Sequence, residues 1–123
     1  MIVAVDTVLP GPEREVLALL AESGLGYDAI AELLGVGRLD VAALAAAGRL
    51  RLAGVASVDG ACRAQLPRLA GEIDGEHVEV AAHPAGCEVC AAALSAMRAA
   101  DAAYRQQAPR PMPGALRNRL LGN

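Results

Sequence analysis

The sequence predicts an all-α protein, a small helix-turn-helix bundle followed by a second small helical unit. Three observations point there. Apolar residues recur at helical spacing in successive segments, each bounded by Gly, Pro or Asp. Aromatic residues are nearly absent, with two Tyr, no Phe and no Trp, so the apolar content is Ala, Leu and Val and any core must be thin, made of closely approaching helices. All three cysteines fall in the second half at a spacing that suits metal ligation. A chain of 123 residues is one ordinary domain or two very small ones, and small units commonly need a metal, a disulfide or a partner to be stable.

The elements follow in order. Pro10-Gly11-Pro12 precedes a helix from Glu13, with an acidic first turn, Val16, Leu17 and Leu20 inward, and Gly24 at its end. Asp28 is the expected N-cap of a helix over Ala29 to Leu34, with Ile30, Leu33 and Leu34 inward. After the turn Gly35-Val36-Gly37, Asp40 is the expected cap of a third helix running to Leu50. Two short helices joined by a glycine turn form a helix-turn-helix pattern. A break near Ala53 to Ser57 separates residues 1–56, with four Arg against seven acidic residues, from the rest, with seven of each. In the second half, Cys62 to Ile73 reads as a helix with Leu66 and Leu69 on one face, Asp74-Gly75 as a turn, and Glu76 to Ala82 as a short helix candidate, although Val78 and Val80 also suit a strand. Cys87 to Gln107 reads as the longest helix, with Cys90, Leu94, Met97 and Tyr104 along one stripe. The expected units are therefore residues 1–56, residues 57–107, and residues 108–123 as a Pro-rich linker with a short last helix.

Chemistry concentrates at His83-Pro84-Ala85-Gly86-Cys87-Glu88-Val89-Cys90, which reads H-x3-C-x2-C, with Cys62 upstream. One imidazole and three thiolates complete a four-coordinate zinc shell with no open position, the arrangement of structural rather than catalytic zinc. The C-x2-C spacing at a helix start aims both sulfurs at one point, and the amides there favour thiolate. Cys62, His83, Cys87 and Cys90 are the expected zinc ligands, and the metal would pin separate helices together so that its binding energy counts as folding energy. His77 is the competing histidine, read as an exposed polar residue. A redox C-x2-C lacks the βαβ surroundings it would need.

Residues 62–94, from Cys62 through Leu66-Pro67, Gly71 to Glu76 and His83-x3-Cys87-x2-Cys90 to Leu94, resemble the zinc-binding anti-sigma factor domain, although the interval between Cys62 and His83 is shorter than in that family. The resemblance implies a small helical zinc domain that packs against a sigma factor and keeps it from RNA polymerase. In some members the cysteines also sense oxidants. The Pro-rich segment and Ala115 to Leu121 are similar to the tail that follows that domain in many relatives. Residues 9–52 resemble region four of sigma factors, in Leu9-Pro10, Glu13 to Leu17 and Tyr27 to Val36. In that family the next helix reads the major groove with basic and hydroxyl residues. Here the corresponding face is Val41 to Gly48, nearly all alanine, and only Arg38, Arg49 and Arg51 remain of the basic set. Base readout needs hydrogen-bonding side chains and phosphate binding needs positive charge, so this alanine face is expected instead to pack closely against another helix, in a contact with a partner protein or within this protein.

Other classes find little footing. Glu72, Asp74, Glu76 and Glu79 read as a solvated acidic face rather than catalytic carboxylates. Gly35-Val36-Gly37 lacks the strand and Lys of a phosphate loop, and no Ser-His-acid set suggests itself. No secretory signal is visible, and the longest strongly apolar run, Val41 to Ala47, is far short of a bilayer span. The expectation is a cytoplasmic, non-enzymatic, zinc-binding regulator of transcription whose partner is a sigma factor or another RNA polymerase component. The first alternative is a DNA-binding regulator using Arg38, Arg49 and Arg51. The second is a redox switch in which Cys87, with Cys62 or Cys90, forms a disulfide and expels zinc.

Overall fold

The computed structural model describes residues 9–55, 58, 60–81, 83–84 and 86–107. It is all-α among these residues: α1 Gly11–Ala21, α2 Tyr27–Leu34, α3 Arg38–Leu52, α4 Ala61–Asp74 and α5 Glu88–Gln107. The expected Pro-rich linker and last helix lie outside the described residues. Among those described, no helix is long and apolar enough to cross a membrane.

Helix starts differ from expectation by a few residues, for physical reasons. Gly26, not Asp28, is the N-cap of α2, which places Asp28 in the first turn where its negative charge interacts favourably with the positive end of the helix dipole. Gly37 is the N-cap of α3, and Asp40, three residues into the turn, accepts the Gly37 N–H through Oδ2 at 2.9 Å. Leu33, expected inward, is 48% exposed, whereas Ile30 is fully buried.

The middle of the fold is α3. It packs against each of the other four helices. Val41, Ala42, Ala45 and Ala46 are all fully buried along it. Because alanine presents a single methyl group, neighbouring helices come close: a Cβ added at Gly48 would stand 3.0 Å from Leu17 Cδ1 of α1. Eight of the 22 buried apolar residues described are alanine, and this one core runs from Leu9 to Tyr104. The two units expected on either side of residue 56 thus share a continuous core. Each alanine contributes only about 0.8 kcal/mol per buried methyl-sized group, against about 1.5–3 kcal/mol for a leucine or valine. A core so composed leaves more of the stability to polar ties.

The short helix expected over Glu76 to Ala82 does not form. Glu76 to Ala81 is neither helix nor strand. Gly75, with φ +71°, ends α4 in the left-handed conformation, and the Glu76 N–H donates to the Gly71 carbonyl at 2.8 Å. The chain then doubles back against α4, burying Val78. This return depends on the missing side chain of Gly71, where a Cβ would lie 2.5 Å from Glu76 O and 3.0 Å from Val78 Cγ2.

Two glycine substitutions should therefore behave differently in thermal melts. Alanine in place of glycine within a helix gains about 1 kcal/mol of propensity. At Gly71 the obstruction is backbone, and overpacking of about 1–3 kcal/mol should outweigh that gain and lower Tm. At Gly48 the obstruction is the tip of Leu17, which can rotate away, and Gly48→Ala should be near neutral.

Candidate metal centre and the buried ion-pair network

Cys62 stands in the first turn of α4 and Cys90 in the first turn of α5, while Cys87 immediately precedes α5 and its carbonyl accepts the Ala91 N–H at 3.0 Å. His83 reaches the same point from the returning chain. That chain is held to α4 by Gln65, which is 2% exposed and whose Nε2 donates to Ala81 O at 2.7 Å. The ligand atoms of Cys62, His83, Cys87 and Cys90 all lie within 4.8 Å of one another. Cys62 Sγ is 3.6 Å from His83 Nε2 and 3.5 Å from Cys87 Sγ.

Metal bonds of about 2.3 Å to sulfur and about 2.0–2.1 Å to nitrogen set tetrahedral ligand atoms about 3.6–3.8 Å apart. The Cys62–His83 and Cys62–Cys87 separations lie near those values and are far longer than the roughly 2.05 Å of a disulfide. The four residues can therefore hold a metal ion. The thiols are not equivalent. The Cys90 backbone N–H, then His83 and Cys62, pull the Cys87 thiol down to about 6. Burial, followed by the other two thiols, pushes Cys90 up to about 11, and the hydrogen bond with Cys87 raises Cys62. Cys87 is thus the first thiolate of the set. His83 Nδ1 is buried without a hydrogen-bond partner among the described residues, which leaves Nε2 as the nitrogen directed at the thiols. His77 stands apart from this cluster, with its side chain 85% exposed beside Glu79.

The arginines proposed from the sequence for DNA contact are all engaged inside the chain. Arg49 is 1% exposed and donates twice to Asp74, at 2.8 and 2.7 Å, and once to Asp101 at 3.2 Å. The Tyr27 hydroxyl donates to the same Asp74 carboxylate. Arg105 reaches Asp101 at 3.0 Å, so that α2, α3, the end of α4 and α5 meet in one ionic cluster. Burial lowers the Arg49 guanidinium, but Asp74 and then Asp101 more than offset it and the net direction is upward. Arg38 lies over the Tyr27 ring at 5.5 Å and donates to Glu76 at 2.9 Å, to His77 O at 2.8 Å and to Asp28 at 3.2 Å. Arg51 donates to Glu13 at 3.1 Å. The acidic face expected to be solvated is divided accordingly: the Asp74 side chain is 3% exposed and Glu76 23%, against 89% for Glu79. Sequence reading missed Asp74 and Glu76 because their partners stand 25 and 38 residues away in the chain.

Comparison of the chain with protein-family models, with curated proteins and with solved structures finds no match. The geometry of the site carries the functional reading.

Removing one member of a buried ion pair strands the other, at about 3–5 kcal/mol. Asp74→Asn should cost a sum of that order in chemical denaturation. Tyr27 supplies a pH signature. Burial, then the hydrogen bond and charge of Asp74, raise its phenol well above the usual value near 10. The folded state therefore favours the neutral phenol. This contribution is complete below pH 10, where the unfolded phenol also stays protonated, and is lost as pH rises above it. Stability should fall by up to about 1.4 kcal/mol per pH unit there. Melts of Tyr27→Phe between pH 9 and 11 should show a shallower fall, the remainder including Tyr104, whose phenol burial pushes up to about 12.

Proposed function

We propose that this protein is a zinc-binding regulator of transcription that acts by protein–protein contact, capturing a sigma factor or another RNA polymerase component in the cytoplasm. The observation that carries the reading is the convergence of the ligand atoms of Cys62, His83, Cys87 and Cys90, from three stretches of chain, to within 4.8 Å of one another. Three thiolates and one imidazole suit zinc, and a shell with no open position holds structure. Zinc here fastens the start of α4, the returning chain and the start of α5.

Two features favour a protein partner over DNA. The helix that would enter the major groove, α3, turns Val41, Ala42, Ala45 and Ala46 inward and offers Leu39, Asp40 and Ala43 outward. Arg38, Arg49 and Arg51 are each held by carboxylates of the chain itself. Arg38 and Arg49 thus offer few free donors to base edges or phosphates, although the Arg51 side chain is 48% exposed.

A second reading, thiol-based redox sensing, draws on the 3.5 Å separation of Cys62 and Cys87 and on the lowered Cys87 thiol. Peroxide would take two electrons from the two thiolates, forming one S–S bond, yielding two hydroxide ions and freeing the zinc.

The purified protein should carry one zinc per chain, and chelation should lower both its helicity and its Tm. Immobilised protein should retain a purified sigma factor, while gel shifts on promoter DNA at moderate salt should show no complex. A stable DNA complex without sigma-factor retention would favour the DNA-binding alternative. Peroxide should release zinc to a colorimetric chelator if the second reading holds, and Cys87→Ser should abolish the release.

A further inference from the structure

A groove lies between the second half of α3 and the start of α4. Leu50, Val55, Val58 and Leu66 give it an aliphatic lining, Arg51 and Arg63 complete that lining, and the cavity measures about 430 Å³. A cavity of this size and composition suits an apolar body that carries a few placed polar groups. The two guanidinium groups differ. Arg51 is held by Glu13 at 3.1 Å. Arg63 is exposed, and its side chain has no partner among the described residues. The groove is thus apolar with one uncompensated positive charge, on a chain whose net charge is −3.

The chain itself supplies a segment of matching chemistry. Ile2-Val3-Ala4-Val5-Asp6-Thr7-Val8 carries four branched aliphatic side chains and a single charge, the carboxylate of Asp6. These residues lie outside those described, which begin at Leu9, buried at 5%. Four residues further on, Glu13 in the first turn of α1 grips the same Arg51 that lines the groove. The segment therefore ends within a few residues of a side chain at the groove. Fully extended, residues 2–8 span up to about 25 Å, more than a cavity of this size requires.

We propose that residues 2–8 dock in this groove, with Val3 and Val5 against Leu50 and Leu66 and the Asp6 carboxylate against the Arg63 guanidinium. The apolar lining and the lone cation are complementary to the aliphatic run and its lone anion. Docked there, the segment braces the start of α4, where Cys62 stands beside Arg63, against the approach to α1. It also makes this face an internal one, which any partner would have to win by displacing the segment. The docking is independent of whether a sigma factor is captured.

Nuclear magnetic resonance of the full-length purified protein, with Leu and Val methyl groups labelled, tests the docking. Nuclear Overhauser effects should join the methyls of Val3 or Val5 to those of Leu50 or Leu66. Asp6→Arg should weaken them, and Asp6→Arg combined with Arg63→Asp should restore them, a recovery that a misfolded variant would not show. Val3→Ser combined with Val5→Ser should speed amide exchange across residues 63–66 by about tenfold or more, while circular dichroism shows the helices retained. Absence of these effects in the wild type, or effects arising only between differently labelled chains in a mixed sample, would overturn the proposal, the latter by placing another copy's segment in the groove. A charge swap that restores nothing would overturn the pairing of Asp6 with Arg63.

Discussion

Four ligand atoms within 4.8 Å of one another impose the constraint on which the second half of the molecule depends. Cys62 opens α4, Cys87 and Cys90 open α5, and His83 belongs to neither. Bringing three stretches of backbone to one point closes two chain loops at an entropic cost that grows slowly with their length. Apolar burial alone offsets little of it, because so many core positions are alanine. An ion held there would compensate at the place where the constraint acts, and its binding energy would then belong to folding. Gln65 and Gly71 do the same work without metal, holding the returning chain on α4 so that His83 arrives beside the sulfurs.

The second tie is electrostatic and sits at the other end of that same returning chain. Asp74 closes α4 and receives Arg49 and Tyr27, and Glu76 receives Arg38 and the Tyr27 backbone N–H at 3.2 Å. A buried ion pair is weak evidence for net stability, since desolvation offsets much of the attraction. Its effect is on specificity: a guanidinium buried at 1% exposure accepts few arrangements other than the forked one seen with Asp74. Arg38 and Arg49 thereby fasten the two halves of the chain together through Glu76 and Asp74, while Arg51 ties α3 to α1 through Glu13.

Much of this was legible in the residues. H-x3-C-x2-C with an upstream cysteine named all four members of the cluster, and helical spacing located five helices to within a few residues. The alanine face of α3 pointed to close packing, which Ala42, Ala45 and Ala46 display. Other features were hidden for definable reasons. Asp74 and Glu76 looked solvated because local charge patterning says nothing about partners contributed by another helix. A usable signal did exist: Arg49 follows Ala45 by one helical turn, so an arginine on the alanine face packed against another helix needs an internal carboxylate. Glu76 to Ala82 suggested a short helix or a strand, whereas the tight Gly71 contact and the claims on the Glu76 carboxylate hold Glu76 to Ala81 in neither form. Leu33 fits a helical stripe, but no element of the fold covers it.

X-ray absorption at the zinc edge of the reconstituted protein tests the central claim most directly, because it reads the ligands themselves. The account predicts one ion per chain with three sulfur scatterers at about 2.3 Å and one nitrogen at about 2.0–2.1 Å. A shell of oxygen and nitrogen alone, or one with fewer than three sulfurs, would contradict it.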